Sequence, residues 1–133
     1  MTTRLAALAL GLALPAAAQA EIPPLGRVER ISEGLIAAAI AYEIGERCDS
    51  LDGRLVQGLA FLWSLESHAR SLGFTREEID AYIDDDAEKA RLEAIARDRL
   101  RALGAVEGDG ETYCAVGRAE MAKGSQVGRL LAD

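Results

Sequence analysis

The sequence predicts an all-α domain: a compact bundle of four to five helices, held by one disulfide and preceded by a cleavable signal peptide. Three observations carry this. Apolar residues recur three and four apart in several segments punctuated by Gly and Asp turn signals. No run alternates apolar and polar residues with period two, so no strand is predicted. Only two cysteines occur, Cys48 and Cys114, behind an N-terminus built for export.

That N-terminus has three zones. Residues 1–4 carry one positive charge, Arg4; residues 5–18 are almost entirely Leu, Ala and Gly; Ala18-Gln19-Ala20 is a small-x-small cleavage site. This order is that of a secretory signal, with cleavage expected after Ala20. The apolar run of about 14 residues is short for a ~30 Å hydrocarbon core. An uncleaved anchor is the alternative, and no Cys stands at the cleavage point to take a lipid. Domain limits follow: signal 1–20, extended leader 21–27 containing Pro23-Pro24, one helical domain 28–133.

Cleavage removes a single charge, Arg4, and takes the formal net charge from −7 to −8. An acidic chain disfavours nucleic acid and anionic lipid as partners. No second stretch has transmembrane length, so no stable membrane insertion is expected after cleavage. In an oxidising compartment Cys48 and Cys114 have one possible pairing, which closes a loop of roughly 67 residues worth about 4 kcal/mol of chain entropy. Reduced or intermolecular thiols are the alternative.

Helix one is predicted over residues 31–47. Ile31, Leu35, Ala38, Ala39 and Tyr42 share one face, and Ile36, Ile40 and Ile44 a neighbouring one. A helix apolar on most of its circumference belongs in the middle of a bundle. Helix two is predicted over 52–72, with Leu55, Leu59, Leu62 and Ala69 as its core stripe, Val56 and Trp63 beside it, and Gly73 at the C′ position. Phe74-Thr75-Arg76-Glu77-Glu78-Ile79 has the spacing of a capping box inside a hydrophobic staple. It opens a short third helix, 76–83, with Ile79, Tyr82 and Ile83 inward. Asp85 and Glu88 repeat the cap spacing for a fourth helix, 87–103, with Leu92, Ile95, Ala96 and Leu103 inward. Gly104 ends it. A fifth helix, 111–123, carries Cys114; Gly124 stops it, and Ser125 caps a last turn.

Several segments together resemble a family. They are Cys48-Asp49-Ser50; Leu72-Gly73-Phe74 running into Ile79-Asp80-Ala81-Tyr82; Asp85-Asp86-Ala87-Glu88-Lys89-Ala90-Arg91; and Tyr113-Cys114-Ala115-Val116-Gly117-Arg118-Ala119-Glu120 followed by Gly124-Ser125. In order and spacing the chain from about residue 25 to 131 resembles a group of small exported proteins of alphaproteobacteria, known as a domain of unknown function. The resemblance implies a periplasmic, all-helical protein with this disulfide. It implies no activity and no catalytic residue.

Each chemical candidate has a plainer explanation. His68 is the sole histidine, without companions for a metal site or triad, and reads as a surface residue. Asp84, Asp85, Asp86 and Glu88 lack the alternating spacing of a calcium loop and read as helix breaking and capping; whether they hold a cation is left open. The Gly-containing loops 107–110 and 124–128 lack a preceding strand and a following Lys-Ser/Thr, and read as turns. Cys114 with Arg118 one turn on has no Cys-x-x-Cys context, so the disulfide reads as structural. Arg118, Glu120 and Ser125 form a polar set beside it: a buried Arg–Glu arrangement holding the tail, or part of a partner surface. Trp63 with Phe61 and Leu62 reads as core, with an exposed anchor as the alternative.

The functional expectation is a small exported, non-enzymatic binding or accessory protein. It is expected to act on a protein partner in the cell envelope without a cofactor; an acid-stress holdase is a variant of this class. An inhibitor or immunity-type protein against a basic envelope enzyme is the alternative, since the −8 charge suits a cationic target. Less favoured is a hydrolase using Glu120 with Asp109 or Glu111.

Overall fold

In a computed structural model, which describes residues 24–133, an apolar helix lies at the centre of the bundle. The signal peptide and the start of the leader lie outside the described residues. Pro24 leads into a single 3-10 turn, Leu25–Arg27, whose Leu25 is buried. That part of the leader, expected to be extended, is therefore anchored by one apolar side chain.

Helix α1 (Glu29–Arg47) is packed against most of the other elements. Its Ile36, Ile40, Ala41 and Ile44 are buried in the main core with Leu92, Ala96 and Leu100 of α4 (Asp86–Leu103) and Tyr113, Cys114 and Val116 of α5 (Gly110–Lys123). The absence of charge from Leu35 to Tyr42 is the reason: a helix without a polar face is stable only where others cover it. A smaller core joins Leu25 and Ile31 to Leu65 and Ala69 of α2 (Leu55–Ser71) and Ile79 of α3 (Arg76–Ile83).

The helix ends follow local chemistry. After α2, the Gly73 N–H donates to Arg70 O and the Phe74 N–H to Ala69 O, with Gly73 at φ 97°. This is the Schellman pattern that a left-handed glycine permits. Thr75 Oγ1 accepts from the Glu78 N–H at 3.2 Å, and Asp85 Oδ1 from the Glu88 N–H at 3.1 Å. The reciprocal half of each predicted capping box is replaced. Glu78 accepts from the Thr75 hydroxyl, and Glu88 accepts from Arg91 Nε at 2.8 Å and from the Tyr82 hydroxyl. Gly104 and Gly124 end α4 and α5 in the left-handed region, and Ser125 caps the short α6 (Gln126–Arg129).

Two expectations need correction. The chain does contain a strand pair: β1 (Asp52–Gly53) and β2 (Leu131–Ala132) form an antiparallel ladder with Asp52 opposite Ala132. Two residues are too short for a period-two pattern to register. Gly53 stands opposite Leu131, the Arg54 N–H donates to Leu130 O at 2.8 Å, and burial of Leu130 and Leu131 brings the C-terminal residues back onto the α1–α2 connection. Consequently α2 begins at Leu55, not at residue 52, because the ladder takes Asp52 and Gly53.

The disulfide joins Cys48, at the C-cap of α1, to Cys114 in the first half of α5, with Cα atoms 5.1 Å apart. Both sulfurs belong to the main core.

Candidate protein-contact surface

From Leu55 to Leu65, α2 carries no charged side chain. Its apolar residues fall on two faces. Phe61, Leu65 and Ala69 turn toward the body, and Leu65 fits so closely against α1 that a Cβ on Gly34 would sit 2.8 Å from both its methyls. The other face carries Leu55, Val56, Leu59, Leu62 and Trp63. Of these, Leu55 and Val56 are each 75% exposed and Trp63 66%.

This overturns the expected core placement of Leu55, Leu59, Leu62 and Trp63, whereas Ala69, the remaining residue of the expected stripe, is buried. The physical reason is that α1 can cover one face of α2, and a domain this short has no further layer for the second. The same shortage leaves Tyr42 of α1, Ile83 of α3 and Leu103 of α4 exposed, although each was expected inward. The signal present in the sequence was the conjunction of two apolar faces with an uncharged stretch.

Between the first half of α2 and the body runs an apolar cleft of about 710 Å³. Leu55, Leu59 and Leu62 form one wall; Ala38 and Tyr42 of α1 and Leu92 of α4 lie across from them, and Ile83 also borders it. The charged residues at its margin include Glu43, Glu88 and Glu93, and each is engaged by an arginine on its own helix.

The polar set singled out in the sequence divides. Arg118 is exposed and donates from Nη2 to Ser50 Oγ at 2.6 Å, and that hydroxyl lies 3.5 Å from Cys48 Sγ and 3.6 Å from Cys114 Sγ. Glu120 is buried and pairs with Lys123 at 2.9 Å. Side chains two apart on a helix point to different faces, so the expected Arg118–Glu120 arrangement does not form. Hydrogen bonding from Ser125 and Lys123 holds the Glu120 carboxyl below its ordinary value of 4.5. The Ser125 N–H donates to Glu120 O at 3.3 Å, and the Ser125 hydroxyl accepts from the Gly128 N–H at 3.1 Å. Glu120 and Ser125 therefore fasten the α5–α6 corner.

Other candidates are likewise engaged locally. Asp84 is the C-cap of α3 and Asp85 the N-cap of α4, with Asp86 in its first turn. Among the described residues no group of three or more His, Cys, Asp or Glu side chains is placed to hold a metal ion. His68 is half-buried, more so than expected, with Arg30 Nη1 3.5 Å from its Nδ1. Asp109 and Glu111 stand at the start of α5. At 1.5 Å of rise per residue, Glu120 lies roughly 14–16 Å along the axis from them, beyond the usual ~5–9.5 Å spacing of paired carboxylates. The loop after α4 is a turn, with Gly108 at φ 85° and a bridge between Val106 and Asp109.

Helical bundle, internal disulfide and an uncovered apolar helix face together define a small all-α domain. The chain belongs to the Family of unknown function (DUF5333), whose model matches residues 23–132. No curated protein and no solved structure matches it. No helix among the described residues is long and apolar enough to cross a membrane.

Proposed function

We propose that this is a small exported, non-enzymatic accessory protein of the periplasm that works through protein–protein contact at the exposed apolar face of α2, from the cleft wall at Leu55, Leu59 and Leu62 out to Val56 and Trp63. The observation that carries the reading is the exposure of five large apolar side chains along Leu55–Trp63. At full-size side-chain areas this exposure amounts to roughly 600 Å², the upper end of what a monomer leaves uncovered without a binding role. A patch of this size costs hydration free energy in every isolated copy, and a protein surface presenting apolar groups in return relieves that cost. The export signal in the sequence and the closed disulfide support a destination outside the cytosol.

The test is cross-linking in intact cells. Trp63→p-benzoylphenylalanine is introduced into the chain with its own N-terminus, and Arg101→p-benzoylphenylalanine, on the charged face of α4, serves as the control. Irradiation is expected to give adducts of defined mass from position 63 alone, on chains that begin at Glu21 and fractionate with the periplasm. Equal labelling from both positions, or none from position 63, contradicts the contact reading; a cytosolic chain that retains residues 1–20 contradicts the export reading.

A further inference from the structure

We infer that the occupant of the α2 face is a second copy of this chain, the two α2 helices running antiparallel across a two-fold axis at Leu59. The inference rests on the reading of that face as a contact surface and names its partner.

The pattern of the face is itself two-fold. Its apolar residues are Leu55, Val56, Leu59, Leu62 and Trp63, which stand at −4, −3, 0, +3 and +4 about Leu59. On a helix of 3.6 residues per turn they occupy a stripe of roughly 120° centred on Leu59. A two-fold axis through that centre sets Leu59 against its own copy, Leu55 against the partner copy's Trp63, and Val56 against the partner copy's Leu62. Every large apolar position meets another. An isologous interface requires this self-complementarity, which the three-and-four spacing of an amphipathic stripe supplies, and here the stripe is left uncovered by the rest of the chain. Gly58 and Ala60 flank the centre and leave room for close approach of the helices.

Area and charge agree. The five α2 residues, with Tyr42 and Ile83 beyond the cleft, expose roughly 900 Å² of large apolar side chains, close to the ~800 Å² per partner of a standard interface. Two copies at −8 each repel over their general surfaces, so they pair best through a face without charge. Residues 55–65 have none. Across the cleft Glu43, Glu88 and Glu93 are each paired with an arginine on the same helix, and on α2 the first carboxylate, Glu66, is paired with Arg70 at 3.0 Å, so a cationic partner selected by the net charge meets carboxylates that already have a cation.

Trp63 is the only tryptophan and reports the event directly. Sedimentation equilibrium of the mature, disulfide-intact chain is combined with Trp63 emission over a dilution series from about 200 µM downward. The expected result is twice the monomer mass at the high end, with Trp63 emission moving to longer wavelength as the dimer dissociates. Leu59→Glu, which sets two carboxylates on the axis, is expected to weaken association at least 100-fold. Val56→Arg, at a more exposed position, is expected to do the same, and both are to retain wild-type helicity. Ala119→Glu, adding the same charge on exposed α5, is expected to leave association unchanged. A monomer throughout with constant Trp63 emission overturns the inference, as does a dimer that survives both α2 substitutions. If the chain is monomeric yet position 63 cross-links to a different protein, the self-pairing fails while the contact face stands.

Discussion

Replacing both Cys48 and Cys114 by alanine tests the longest-range constraint in the fold. The two residues are 66 apart in sequence, so the bridge removes the freedom of more than half of the described residues from the unfolded ensemble. The loop-entropy relation puts this at about 4 kcal/mol at 25 °C. Cys48 is 4% and Cys114 1% exposed, so truncation also removes two packed sulfurs from the core beside Ile44 and Leu51. A net loss of about 4–5 kcal/mol is expected. For a domain of this size that is a large share of the usual ~5–15 kcal/mol, and corresponds to a fall in Tm of roughly 15–20 °C. Urea unfolding at neutral pH measures it, with the slope fitted separately because the uncrosslinked unfolded chain exposes more surface. Reduced wild type should unfold near the double variant. A loss below about 1 kcal/mol would refute the reasoning, since the α1–α5 packing would then hold without the bridge.

Two further outcomes follow from close contacts and from charge. A Cβ on Gly117 would lie 2.6 Å from Leu51 Cδ1 and 2.9 Å from Ile44 Cγ2, and both side chains are fully buried. Gly117→Ala is therefore expected to destabilise by about 1–3 kcal/mol, and unchanged thermal unfolding would contradict it. The Glu120 carboxyl is held below 4.5 by Ser125 and Lys123, so as pH falls the unfolded chain takes up this proton first. Its stabilisation is present above about pH 4.5 and is lost as pH drops through the folded value. Glu120→Gln is expected to unfold at a midpoint less dependent on pH between about 5 and 3 than wild type; parallel pH profiles would show that the pair contributes nothing.

The fold was legible where local chemistry decides it. Thr75, Asp85, Gly73 and Gly104 mark helix ends through caps and left-handed turns that depend on a few adjacent residues, and the structure has them there. The uncharged run Leu35–Tyr42 placed α1 at the centre for the same kind of reason. What failed depended on counting layers. Leu55, Val56 and Trp63 have the periodicity of core residues, and periodicity does not say whether the chain is long enough to supply a covering element. The β1–β2 ladder failed for a related reason: its two residue pairs are made by tertiary closure of Leu130 and Leu131, with no local signature. The polar candidates were misgrouped because Arg118 and Glu120 are close in sequence and diverge on the helix. Arg99 and Glu33, which clasp α4 to α1 through two hydrogen bonds of 2.6 and 2.8 Å, are 66 residues apart and gave no sign of pairing.

Backbone amide NMR spectra of the mature chain at about 20 and 500 µM test the central claim most directly, because they report where contact occurs as well as whether it does. The expected result is concentration-dependent shifts confined to Leu55–Trp63 and to the neighbourhoods of Tyr42 and Ile83, abolished in Leu59→Glu. Spectra that do not change, or shifts centred on the charged face of α4, would contradict the assignment of the α2 face as the contact surface between copies.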